Sequence, residues 1–174
     1  MGAKMIRTCL KPLSFLPAVF MMCLIFGFSA QDAQASGQLS NQVTVKLVEA
    51  CESVFAKGWS DLQIFEYALM LEHAVRKTAH MAEYFLLAVT VALPLYGYHL
   101  RGWRLILAAT IFCTVFACLD EYHQSFVPGR FPSLRDVCID SAGSLAGVCV
   151  TRFLCFLRER AHFCPLSQKT SPPG

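Results

Sequence analysis

The chain has 174 residues, 55% of them hydrophobic and 16% charged, with a formal net charge of +3 and a mean hydropathy of +0.47. The length suits one domain, and the composition excludes an ordinary soluble protein and points to an integral membrane protein. Basic residues are spread along the chain without forming a stripe, so no nucleic-acid partner is expected.

Lys4, Arg7 and Lys11 precede the first apolar run, Leu13 to Ala30. Two readings fit it. A basic region, an apolar core and Ala33-Gln34-Ala35 before Ser36 describe a secretory signal. The run also suits a retained membrane helix of about 17–25 residues. Residues 31–60 are polar, and Val43, Leu47, Val54 and Phe55 recur at roughly helical spacing. That predicts a short interfacial helix within Leu39 to Trp59. Gly58 reads as a break, and Asp61 as the N-cap of a helix from Leu62 to Leu71.

The second membrane helix is expected from Thr78 to Tyr98, announced by Arg76-Lys77, with Pro94 able to kink its far end. His99, Arg101 and Arg104 surround a tight turn at Gly102. A third helix follows from Trp103 to Gln124, then a loop, Ser125 to Arg135, and a fourth helix from Asp136 to Leu157. The tail from Arg158 to Gly174 is basic and then Pro/Ser-rich, which reads as disordered. The fold class is therefore all-α: four transmembrane helices in one domain, with an external helical segment between the first two. With both termini inside, nine of the 15 Lys and Arg fall on inner segments and six on outer ones. The positive-inside rule then favours cytoplasmic termini in the cell membrane.

Nine cysteines are present, but Cys23, Cys113, Cys118, Cys149 and Cys155 lie within apolar runs. There they serve as small apolar side chains. A bridge between Cys51 and Cys138 has nothing in the sequence to support it.

The polar residues fall at matching depths. Eighteen steps separate Asp140 from Arg158, about 27 Å against an apolar thickness of about 30 Å. If Arg158 marks the inner edge, Asp140 lies near the outer one, where the second helix begins and the third ends. At about 100° per residue, Arg76, His80 and Glu83 share a face, as do Asp136, Asp140, Gly143 and Gly147. Asp120 and Gln124 stand at i and i+4. The Gly-x-x-x-Gly step, flanked by Ser141, Ala142, Ser144 and Ala146, is suited to close helix packing in lipid.

Four stretches, FGFSAQ with Ser36 and Ser40, VRKTAHMAEYFLL, DEYHQSFVPGR and RDVCIDSAGSLAG, resemble the VanZ-like family of small bacterial membrane proteins. The resemblance runs from about Phe26 to Gly147. It implies a multi-pass membrane protein and a retained first helix, and it carries a link to teicoplanin resistance without an established reaction. Asp140 stands where the family usually has Asn.

Charged groups at membrane depth are costly and normally face a site or one another. One reading of Arg76, Lys77, Asp120, Glu121, Arg130, Arg135 and Asp136 is therefore structural pairing. The other is an outward pocket with arginines available to a phosphate or carboxylate. Its expected ligand-binding set is Arg76, Lys77, His80, Glu83, Tyr84, Asp120, Glu121, Gln124, Arg130, Asp136 and Asp140. An enzymatic reading takes His80, Glu83 and Glu121 as candidate catalytic groups, with Arg130 as electrostatic stabiliser. His80 and Glu83 would also suit a metal with Asp120, Glu121 or His123, but a hydrogen bond between His80 and an acid accounts for them, and neither metal nor cofactor is expected. Tyr84, Tyr122 and Phe126 need no role beyond interface anchoring. The expected partners are membrane lipid and a cell-envelope precursor or glycopeptide, bound or shielded rather than turned over.

Overall fold

The computed structural model describes residues 12–163, with side chains as far as Arg160. A 3-10 turn, Pro12–Phe15, runs into α1, Leu16–Ser29. Then come α2, Ala33–Phe55, α3, Asp61–Gly97, α4, Gly102–Gln124, and α5, Leu134–Phe163. Among the described residues there is no strand. Four segments, Pro12–Ser29, Asp61–Gly97, Gly102–Gln124 and Leu134–Arg160, are long and apolar enough to cross a membrane.

The largest departure from expectation is α3. The helix expected from Leu62 to Leu71 and the one expected from Thr78 are a single helix of 37 residues, about 55 Å long at ~1.5 Å per residue. Neither Gly nor Pro stands between Leu71 and Thr78, so nothing in the backbone interrupts the helix. Its N-cap is Ser60 rather than Asp61. Gln63 N donates to Ser60 Oγ at 3.4 Å, and Ser60 N donates to Gln63 Oε1 at 3.0 Å, a reciprocal capping box. Asp61 is the first helical residue, where its charge complements the positive end of the helix dipole.

An apolar core about 30 Å thick takes up only part of α3, and α2 packs along it. Ser40 Oγ donates to Glu72 Oε1 at 2.7 Å and joins the two. The interfacial helix expected within Leu39 to Trp59 therefore starts earlier. Its cap is Asp32, whose side chain accepts from Ala35 N at 2.7 Å. It ends at Ala56, in a left-handed conformation.

The bundle closes around α3 and α5. A Cβ at Gly143 would collide with the Met81 carbonyl oxygen, and one at Gly147 would meet the Phe85 carbonyl and Ala88. The two backbones touch, which is what a small-residue stripe permits in lipid. Tyr84, Leu87, Ala88, Leu105, Ala109, Cys113 and Val148 form the fully buried core. Tyr84 is thus a core residue packed near Phe116, not an interface anchor, whereas Tyr122 and Phe126 are exposed and meet edge-on. Outward-facing Phe20, Ile111, Leu119 and Phe153 present the apolar surface a bilayer requires.

The ends are matched as antiparallel spans demand. Phe15 of the 3-10 turn lies 5.9 Å from Tyr98 at one end, and Phe26 of α1 lies 4.2 Å from His123 at the other. α5 continues through Phe163, so residues 158–163 are helical rather than disordered. The rest of the expected disordered tail, and Lys4, Arg7 and Lys11, lie outside the described residues. Cys51 and Cys138 are both free thiols.

Candidate functional site

Three helices and one loop converge at the α4–α5 end. On α3, Arg76, Lys77 and His80 share a face. The last turn of α4 brings Glu121 and Gln124, and the first turns of α5 bring Asp136 and Asp140. Between them the chain turns through Phe126 N to His123 O, Val127 N to Gln124 O and Arg130 N to Val127 O, at 3.0, 3.0 and 3.2 Å. Gly129 has φ +75, a conformation glycine adopts without strain. Ser133 N donates to Glu121 Oε2 at 2.8 Å, which ties the end of the loop to α4.

These groups enclose a cleft of about 360 Å³. Arg76, Lys77, His80, Glu121, Gln124, Arg130, Asp136 and Asp140 all line it. Three residues of the expected set stand elsewhere. Asp120 lies beneath, 2% exposed, where its Oδ2 accepts from Gln124 Nε2 at 3.1 Å. Tyr84 is deeper still. Glu83 faces a second pocket of about 150 Å³ between α2 and α3, which shares Arg76, His80 and Arg130 with the cleft. That side pocket has apolar walls from Phe28, Leu39, Val43 and Val75, so the two together run from a charged chamber to a greasy one. Arg135 is exposed and lines neither.

The charges divide into tied and untied. Lys77 pairs with Asp136 across α3 and α5, and Arg76 pairs with Glu72 at 3.3 Å along α3. His80 Nδ1 stands 3.5 Å from Glu83 Oε2, an ion-pair contact longer than a good hydrogen bond. Arg130 is half-buried and forms no ion pair among the described residues. Burial pulls its guanidinium below the ordinary value, while Asp120 pulls it back up; it remains a cation at any physiological pH.

Within and around the two pockets, Asp120 Oδ1, Asp140 Oδ1, Glu83 Oε2 and Tyr84 Oη are buried without a hydrogen-bond partner among the described residues. Polar atoms left so in an apolar interior are destabilising. No group of three or more His, Cys, Asp or Glu among the described residues could hold a metal ion.

Sequence reasoning missed His73, Ala33 and Gly129, which also line the cleft. His73 shares the face of Lys77 and His80, at i, i+4 and i+7, but the break expected after Leu71 concealed that register. Ala33 and Gly129 meet because Ala33 N reaches Pro128 O at 3.4 Å, a loop-to-helix contact with no sequence signature.

No curated protein and no solved structure matches the chain. The VanZ/LLP1 family, in contrast, matches residues 14–157, most of the chain and every element that builds the cleft. The chain belongs to the VanZ/LLP1 family.

Proposed function

We propose that the cleft faces outward and binds an anionic group of a cell-envelope ligand, so that the protein holds or shields that ligand rather than turning it over. Arg130 carries this reading. It is the cation of the cleft that forms no ion pair among the described residues, and it borders both the polar chamber and the apolar side pocket. A guanidinium in that position suits bidentate contact with a phosphate or carboxylate, and the side pocket suits an attached apolar chain. Arg101, Arg104, Arg152, Arg158 and Arg160 at the far end support cytoplasmic termini and an external cleft. A ligand of this kind would connect the fold to glycopeptide susceptibility, teicoplanin included.

The second reading is a membrane-embedded hydrolase or transferase acting on a lipid-linked envelope substrate. It is favoured by His80, which borders the cleft while Glu83 stands behind its Nδ1, the arrangement of a base and its orienting acid. One experiment separates the two. Purified protein is titrated with a polyprenyl phosphate in micelles and, separately, with teicoplanin, and binding and product are both followed. Saturable binding without product, weakened in Arg130→Gln, supports the binding reading. Product that disappears in His80→Gln supports the enzyme. Absence of binding to both probes overturns the first reading.

A further inference from the structure

The opposite end of the bundle holds a second cleft, of about 360 Å³, between the end of α3, the start of α4 and the last turns of α5. Its walls are apolar: Leu105, Ile106, Phe153 and Phe156. Two arginines enter it, and they are held differently. Arg101 is fixed: its guanidinium lies 3.4 Å from the Tyr96 ring centroid, Nη1 donates to Tyr96 O at 3.3 Å, and Nε stands 3.7 Å from Glu159 Oε1. Tyr96 Oη also bonds Glu159. Arg152 is exposed and has no ion pair or hydrogen bond among the described residues.

Arg152 is the difficult residue. It belongs to the Leu134–Arg160 span, eight residues or about 12 Å of helix short of Arg160. A cation on the lipid side of a span is costly unless it reaches headgroups or an anion. Glu159, the one acid at this end, is already engaged by Arg101 and Tyr96. The surrounding charge is one-signed, since Arg104, Arg158 and Arg160 stand at the same end. An apolar groove open to lipid, with an unsatisfied guanidinium at its edge, matches a molecule with two chains and an anionic head. Basic pockets between transmembrane helices take such headgroups.

We propose that this cleft is a binding site for an anionic phospholipid, its phosphate on Arg152 and its acyl chains along Ile106, Phe153 and Phe156, with Leu105 as the buried floor. Arg101, held by Tyr96 and Glu159, forms the rigid side of the headgroup site. The site is separate from the polar cleft and would hold whether or not that cleft binds an envelope ligand.

The test uses the full chain with Trp59→Phe, which leaves Trp103, exposed and next in the chain to the groove residue Gly102, as the reporter; the protein has two tryptophans. Quenching is measured in vesicles containing brominated phosphatidylglycerol or brominated phosphatidylcholine at equal mole fraction. The expected result is preferential quenching by phosphatidylglycerol. Arg152→Gln should weaken that preference about tenfold, the loss of one charge-assisted contact. Arg152→Lys should retain most of it. Arg104→Gln, on the neighbouring Trp103 ring rather than in the groove, should change it little. Equal quenching by the two lipids, or equal loss in the Arg104 and Arg152 variants, would overturn the site. So would full competition by millimolar inorganic phosphate, which would make it a free-anion site.

Discussion

At the cleft end, acids and bases from three helices are buried or half-buried and some of them are joined in pairs; at the other end stand five arginines with Glu159 as their one acid. Eleven of the chain's 12 acids therefore lie on the cleft side of the bundle. The two ends meet the same physical demand, that charge near a bilayer be satisfied, in different ways. Where both signs are available, part of the charge is satisfied within the protein: Lys77 with Asp136, Arg76 with Glu72, Glu121 with the Ser133 amide. Where one sign dominates, Arg101 alone is ion-paired among the described residues, with Glu159, and we assign the partner of Arg152 to the lipid. Arg130 stands among acids yet forms no ion pair among the described residues, and that is why the ligand reading rests on it.

The largest effect is expected where the two ends are held together. Gly143→Leu drives a side chain into the Met81 backbone, so the protein should fail to accumulate as a folded species, with both ends lost at once. Val150→Leu, exposed on the same helix, is its control. Equal accumulation of the two variants, followed by size-exclusion chromatography in detergent, would remove the close α3–α5 contact from the account.

Next comes the tied charge. Lys77→Gln leaves Asp136 partly buried and unpaired, which should cost about 1–2 kcal/mol of stability, less than for a fully buried pair because both side chains retain some solvent. Adding Asp136→Asn should restore part of that loss. A double variant no more stable than the single one would mean the pair is not what joins α3 to α5. Gly129→Ala should be milder, near 1 kcal/mol, since its Cβ would sit 3.1 Å from Ala33 Cβ in a left-handed backbone. Melting temperature in detergent measures both.

Periodicity and length made the membrane spans legible, because apolar runs and turn residues are local signals. The packing face of α5 was legible for the same reason, since Gly143 and Gly147 share a face with Asp136 and Asp140, but its partner α3 was not. The continuity of α3 was not, since Arg76-Lys77 reads as a membrane border and a border looks like a helix start. Continuity depends instead on the absence of breakers between Leu71 and Thr78 and on α2 packing alongside. Within the site, helical residues fell where their register put them. Glu83 went to the side pocket and Tyr84 to the core because a helix face is broad, and only tertiary packing decides which flank of it meets the cleft. The Gly129–Ala33 contact joins loop to helix across the fold, so no pattern in the sequence announces it.

Arg130→Gln and Lys77→Gln, measured side by side for stability and for binding of the polyprenyl phosphate micelle probe, decide whether Arg130 serves a ligand or the fold. An untied, ligand-facing Arg130 predicts that Arg130→Gln melts like the parent protein while binding falls about ten- to a hundredfold, the loss of one charge-assisted contact. Lys77→Gln should instead lose stability first. If Arg130→Gln melts as low as Lys77→Gln and its binding follows only the fraction folded, Arg130 is one more structural charge and the cleft has no anion-binding role.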